Sequence, residues 1–334
     1  MESTTFAGNL ISVVAMSNRT KGILFALTTA FLWGFLPIAL KVVTGFIDPL
    51  TIGWFRFLVA FFLLFVILGI RKPKYLKILT NPPLYIIIAS LGLGINYLGF
   101  IYGLKLTTPG TAQVFIQAGP MVLGLVGFIF FRETLSKRQG FGFLVAGLGL
   151  LFFYRENLAQ MVAQEDMFSM GVVWVLIAAM AWAVYATFQK KLVQDYPPQQ
   201  LNLFLFGLPV ILFLPFVRFS EFIDLTFLQW MLMLFLGLNT LIAYGSLSMA
   251  FKYIEASKVS IIVTMNPVLT FVYMGLLALW EVSWIVPEKL SIAGMAAAVM
   301  VLIGAVMAIV ASHPSKKKTL DQFFKRKASG KTNP

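Results

Sequence analysis

The sequence predicts an all-α membrane protein of ten transmembrane helices, built as two five-helix repeats of inverted topology. Three observations point there. Only 12% of the 334 residues are charged and 59% are hydrophobic, with mean hydropathy +0.88, whereas soluble domains carry about 25% charged residues. Apolar segments of about 20 residues, each long enough for ~30 Å of hydrocarbon, recur along the chain. The segment LTTAFLWGFLPIALK (27–41) returns as LIAAMAWAVYATFQK (176–190), with Leu27, Ala30, Trp33 and Lys41 matching Leu176, Ala179, Trp182 and Lys190.

The expected spans are 22–43, 49–70, 83–104, 108–131, 137–154, 171–190, 198–217, 227–251, 256–280 and 290–311, the fifth being short. Before them, MESTTFAGNLISVVAMSNRTK has an acid at Glu2 and its basic residues at the end, unlike a signal peptide. Residues 1–21 therefore read as a cytoplasmic leader. The first repeat is 22–154, the linker 155–170 is extracytoplasmic, the second repeat is 171–311, and 312–334 is a basic cytoplasmic tail. That tail, with Phe323 and Phe324 among its cations, suits a surface of anionic lipid.

Charge sets the orientation. With a cytoplasmic N-terminus, the inner loops and termini hold 20 Lys and Arg, the outer loops hold five, and Arg56 lies within a span. The positive-inside rule then places both termini in the cytoplasm and favours an even number of spans. The net charge of +13 follows from this loop pattern and does not mark a nucleic-acid partner. Without cysteine, disulfides and thiolate metal sites are excluded, and the sole histidine, His313, lies in the tail.

The repeat extends beyond its first helix. At an offset of 149, Gly22 matches Gly171 and Pro49 matches Pro198; at 147, Tyr97 matches Tyr244, Lys105 matches Lys252 and Pro120 matches Pro267. Any two membrane sequences share Leu and Ala, but ordered matches of Trp, Pro and Lys indicate duplication. Five helices are an odd number, so the second copy enters the bilayer from the opposite side, a recurring construction of secondary transporters.

Ala30, Trp33, Gly34 and Lys41, then Arg56-Phe57, Gly119-Pro120 and Phe131-Arg132-Glu133 followed by Gln139, resemble the EamA-type drug/metabolite transporters over residues 20–312. The resemblance implies ten helices, a bacterial inner-membrane location and export of metabolites or amphipathic compounds. The second half departs from the pattern. Leu205 stands where an arginine is expected, and Glu281 is displaced by one residue from the position matching Glu133.

A carrier needs a polar cavity near the midplane, where helices are broken or kinked. Pro120 and Pro267 fall near the centres of the fourth and ninth spans, where each removes a hydrogen bond and kinks its helix. Gln113 and Gln117 share a helical face with Pro120, and Ser260 and Thr264 repeat that stripe before Pro267, with Asn266 adding an amide. Such side chains also serve as helix–helix glue, worth about 0.6 kcal/mol each. Trp33, Tyr97, Trp182, Tyr185 and Tyr244 lie inside spans and suit either an amphipathic pocket or plain packing; Trp230, Trp280 and Trp284 fit the interfacial belt.

Arg56 stands seven residues beyond Pro49, about 10 Å deep. Placing it there costs at least ~2.5–3.5 kcal/mol on insertion scales. It could hold a substrate carboxylate or phosphate, bond carbonyls freed by a kink, or snorkel outward. None of the thirteen acids lies at a span centre, where proton-driven carriers usually keep a relay. Facilitated diffusion or exchange is therefore expected, with Glu133 and Glu281 as fallback relays. The reading that results is an inner-membrane exporter of small neutral or zwitterionic metabolites such as amino acids. It needs no cofactor, metal or catalytic group, its partners are the substrate and membrane lipid, and a monomer suffices. An exchanger of phosphorylated or nucleotide-sugar substrates is the alternative within this class; a membrane enzyme or scaffold is the alternative outside it.

Overall fold

The computed structural model describes residues 17–129, 131, 136–161, 166–285 and 292–310. The leader to residue 16, Arg132, Glu133 and the tail from 311 lie outside them. Among the described residues every regular element is a helix: α1 (Asn18–Val43), α2 (Pro49–Arg71), α3 (Leu84–Leu106), α4 (Pro109–Phe115), α5 (Ala118–Ile129), α6 (Lys137–Met161), α7 (Asp166–Leu192), α8 (Pro198–Phe213), α9 (Phe227–Tyr253), α10 (Ala256–Val263), α11 (Asn266–Leu279) and α12 (Ile292–Val310), with short 3-10 turns at 73–79, 214–216 and 219–222. Seven segments among the described residues are long and apolar enough to cross a membrane.

Helix starts follow local chemistry. Ser17 accepts from Thr20 N at the start of α1, Asp48 accepts from Leu50 N ahead of Pro49 at the start of α2, and Thr226 and Gln229 form a reciprocal capping box on α9. Two ends are closed by matched lysines. Lys41 Nζ donates to the carbonyls of Leu104, Lys105 and Thr107 at the end of α3, and Lys190 Nζ donates to those of Phe251 and Ile254 at the end of α9. Cations there satisfy orphan carbonyls and oppose the negative end of the helix dipole. The offsets of 149 and 147 carry one set of contacts onto the other.

The expected fourth and ninth spans are each two helices rather than one kinked helix. A proline ring clashes with the carbonyl of the residue four back and offers it no N–H. Four residues before Pro120 is Ile116, where α4 gives way; four before Pro267 is Val263, where α10 ends. Tighter bonds carry the chain across, Gly119 N to Ile116 O at 3.0 Å and Met265 N to Ile262 O at 3.1 Å. Two other helices outrun their expected bounds, α6 reaching Met161 and α7 beginning at Asp166, inside the segment read as linker.

The buried core lies between helices of the two halves. α3 packs along α7, α1 along α9, α2 along α8, and α6 along α12. The α3–α7 seam is a backbone contact: a Cβ on Gly103 would lie 2.7 Å from Gly171 O, and one on Gly99 2.9 Å from Trp174 O. Small residues that admit such approach are what hold helices together in lipid. Large apolar side chains such as Phe31, Phe62, Ile70, Ile211, Phe227 and Leu228 are exposed on the outside, as a bilayer solvent requires.

Candidate functional site

Where the two halves meet, aromatic residues meet their own counterparts. The rings of Trp33 and Trp182 are 6.0 Å apart, those of Tyr97 and Tyr244 5.6 Å, and those of Phe57 and Phe206 6.4 Å. Trp33 also packs edge-on to Tyr244 at 5.0 Å. The first two pairs border a cavity of about 60 Å³. A buried water needs roughly 10–15 Å³ on this measure, so the space suits a few waters or a small solute.

The broken helices supply much of the wall. Gln113, Ile116, Gln117 and Pro120 face it from the α4–α5 break, and Val263 and Asn266 from the α10–α11 break. Gln113 Nε2 donates to Trp33 O at 2.7 Å, and Gln117 Nε2 to Gln113 O at 3.1 Å. With its nitrogen turned to donate, the Asn266 amide reaches Val263 O at 3.1 Å and Ala30 O at 3.2 Å. Each break is therefore tied to helix α1 by an amide.

Three residues at the cavity carry a buried polar atom with no protein partner. Trp33 Nε1 and Trp182 Nε1 are orphan donors, and Gln117 Oε1 is an orphan acceptor; these three residues are 8%, 4% and 1% exposed. Buried polar groups are almost always paired, so unpaired atoms on three residues that line one small space single it out as the candidate site. Among the described residues lining the cavity only Arg56 is charged. It is 2% exposed, its Nε donates to Thr240 Oγ1 at 3.1 Å, and its guanidinium lies 4.3 Å from the Tyr97 ring centroid.

Other expected site residues lie elsewhere. Ser260 is bonded to Pro120 O and Thr264 Oγ1 to Ile261 O at 2.5 Å; neither faces the space. Tyr185 is fully buried behind Tyr244, their rings 5.6 Å apart. Among the proposed belt residues, Trp280 and Trp284 are exposed, whereas Trp230 stacks on Phe222 at 5.7 Å. Asn96 and Thr240, unremarked in the sequence, belong to the site. Asn96 lines the cavity and donates to Ala178 O at 2.9 Å, and Thr240 joins Arg56 to Tyr97. Asn96 is a polar residue next to Tyr97 inside a span, a signal that could have found it, and Thr240 lies one turn before Tyr244 on its helix.

The cavity leans toward one end of the bundle. Leu36, Phe100 and Gln113 line it, each a turn nearer the end that holds Lys41 and Thr107. Their counterparts toward the other end, Tyr185, Leu247 and Ser260, are fully buried and do not line it.

A family model described as the EamA-like transporter family matches the chain twice, over residues 20–155 and 169–310. The chain belongs to the EamA-like transporter family. It is similar to an uncharacterized transporter of Haemophilus influenzae, 30% identical over 86% of this chain and 94% of that one, and to the uncharacterized inner membrane transporter YhbE of Escherichia coli K12, 31% identical over 86% and 91%. An uncharacterized transporter of Archaeoglobus fulgidus is 26% identical over 85% and 96%. A solved crystal structure shares the fold at TM-score 0.68 and 18% identity, covering 87% of this chain and 98% of that one. This EamA-like chain is accordingly a multi-pass membrane protein and a transporter.

Proposed function

We propose that this protein is an inner-membrane secondary carrier that exports small neutral or zwitterionic metabolites, amino acids among them, by alternating access. The observation that carries the reading is the cavity itself, small and lined by aromatic and polar residues, three of which hold unpaired polar atoms, at the place where matched residues touch. A residue that contacts its own counterpart lies near the axis relating two copies. Trp33 with Trp182 and Tyr97 with Tyr244 therefore set the cavity on that axis, which supports ten spans in two oppositely oriented five-helix repeats, 22–154 and 171–311. Both termini are then cytoplasmic, and the end toward which the cavity leans is the outer one. Rocking one copy against the other would exchange the open end for the closed one around a fixed site.

The chemistry of the wall supports the solute class. Two indole N–H groups and a guanidinium suit a carboxylate, Gln117 Oε1 accepts from an ammonium, and the aromatic faces suit both an apolar side chain and a cation. A phosphate or nucleotide-sugar exchanger would want several cations, and only Arg56 lines the described wall. No carboxylate or histidine lines it either, which favours exchange or facilitated movement over proton coupling within the cavity. A single chain holds the whole pathway, so no second copy is invoked.

The test is counterflow of labelled amino acids into liposomes holding the purified protein, with and without a pH gradient. Gradient-independent exchange is the expected result. An absolute need for protons would overturn the mode, and movement of sugar phosphates but not amino acids would overturn the substrate class. Trp33→Ala and Gln117→Ala should each abolish saturable uptake while leaving folded protein.

A further inference from the structure

We propose that Thr240, contributed by the second half, is a positioning residue that makes Arg56 a reader of carboxylates. The inference rests on the transport reading above and names the group within the substrate that the site selects.

Arg56 is buried and borders the cavity, yet among the described residues no carboxylate lies within ion-pair distance of it. Its contacts are with neutral groups, the Thr240 hydroxyl and the face of Tyr97. The hydrogen-bond arithmetic at Thr240 is closed. Its Oγ1 accepts from Arg56 Nε at 3.1 Å and from Tyr97 OH at 3.1 Å, and its own proton goes to Leu236 O at 3.0 Å. A hydroxyl has two acceptor sites and one proton, so all three are used. The guanidinium is held at Nε by Thr240 and lies over the Tyr97 ring at the wall of the cavity, and its Nη groups are assigned to the solute. A planar fork of this kind recognises a carboxylate through two parallel bonds.

The repeat adds a second line of support. The counterpart of Arg56 is Leu205, and that of Thr240 is Leu93. The polar member of each pair survives in a different half, and the two survivors bond each other across the interface. A role confined to packing gives no reason for that combination. A role in orienting one charge at a shared cavity does.

The experiment pairs each of the twenty common L-amino acids with its carboxamide, which keeps size and ammonium but loses the negative charge. Binding is read as the ligand-induced shift of thermal unfolding of the full-length protein in detergent, and transport as counterflow in liposomes. At least one acid should be preferred to its amide by wild-type protein. Arg56→Gln should cut that preference roughly 100-fold or more, the scale for losing one partner of a buried charge pair. Thr240→Val should lower the acid-to-amide preference about tenfold, chiefly through KM, and Thr240→Ser should restore it. A purely structural threonine would change yield or stability while leaving the preference intact, and that result would overturn the proposal. So would a wild-type protein with no acid preference in any pair. Binding of acids through Arg56 without transport would keep this assignment and sink the carrier reading; transport of acids and amides alike would do the reverse.

Discussion

The seam between α3 and α7 and the seam between α9 and α1 occupy matched places in the two halves, yet they are built differently. Along α3 the contact positions are Gly92, Gly99 and Gly103; along α9 their counterparts are Asn239, Ser246 and Ala250. The glycines bring backbone against backbone, with Gly92 facing Ala181 O and Gly99 facing Trp174 O. At the other seam hydrogen bonds do part of that work, Asn239 Nδ2 to Leu32 O at 3.0 Å and Thr29 Oγ1 to Ala243 O at 3.0 Å. The ends of the bundle differ in the same sense. Gln189, Asn202 and Ser248 form a buried cluster, with Gln189 Nε2 bonding Ser248 Oγ at 2.7 Å and Asn202 Oδ1 at 3.2 Å. Their counterparts Leu40, Gly53 and Ile101 are apolar and buried. The two copies keep one architecture and weight the means of cohesion differently, backbone contact at glycines beside the single Asn96–Ala178 bond in one seam and more directional bonds in the other. Directional bonds can be exchanged for water when a gate opens, whereas a glycine seam has no comparable substitute.

The sharpest way to break that contrast is to widen the tight seam. A side chain at Gly103 must enter space held by the Gly171 carbonyl and the Val175 backbone, neither of which can rotate away. Gly103→Leu should destabilise the protein by about 3 kcal/mol, the upper end for overpacking, read as loss of monodisperse protein on size exclusion. At the matched place Ala250→Gly removes only a methyl and should cost about 1 kcal/mol, the helix-propensity difference. Equal damage from the two changes would mean that the seams are energetically alike.

How far the sequence foretold this depends on which residues one asks about. Trp33, Pro120 and Lys41 announced the duplication because Trp, Pro and Lys are rare enough in membrane helices for ordered matches to carry information. Trp33 and Pro120 also line the cavity, whereas Lys41 caps the end of α3. The full breaks at Ile116 and Val263 were implicit in the prolines, but whether a kink becomes a break depends on the neighbours that satisfy the freed groups, here Gln117, whose Nε2 bonds Gln113 O, and Asn266, whose amide bonds Val263 O. Thr240 was harder. It lies among Asn239, Ser246 and Ser248, which together cover much of the helix circumference, so no periodicity singles out a cavity face until packing against α1, α2 and α8 is known. Tyr185 and Ser260 show the converse. Their matched partners Leu36 and Gln113 line the cavity, but the repeat relates positions and not exposures.

A change of intermediate size probes the end that holds the cluster of Gln189, Asn202 and Ser248. Gln189→Leu imports the residue of the first half and removes two buried bonds, worth about 1–3 kcal/mol together on the membrane scale. If the cluster latches its end, the equilibrium should move toward opening there by roughly 5- to 150-fold. The chain has no cysteine, so Val259→Cys, buried at the start of α10, provides a single thiol. Its rate of maleimide labelling in membranes should rise by that factor in the Gln189→Leu background. An unchanged rate would show the cluster to be packing only.

The smallest expected effect tests whether the hydrogen bonds of the α9–α1 seam are individually weak, as the contrast between seams requires. Asn239→Ala deletes the bond to Leu32 O without adding volume. Single interhelical bonds average about 0.6 kcal/mol because the unfolded chain in the membrane also finds partners, so the thermal midpoint should fall by less than about 2 °C in a protein of this size. Asn96→Ala in the other seam deletes a comparable bond, to Ala178 O, and should cost about the same in stability. It also changes the cavity wall, which Asn239→Ala does not, so only Asn96→Ala should weaken substrate binding. A drop of many degrees for Asn239→Ala would mean that the second seam depends on one bond, and the division between close packing and distributed polar contacts would then have to be redrawn.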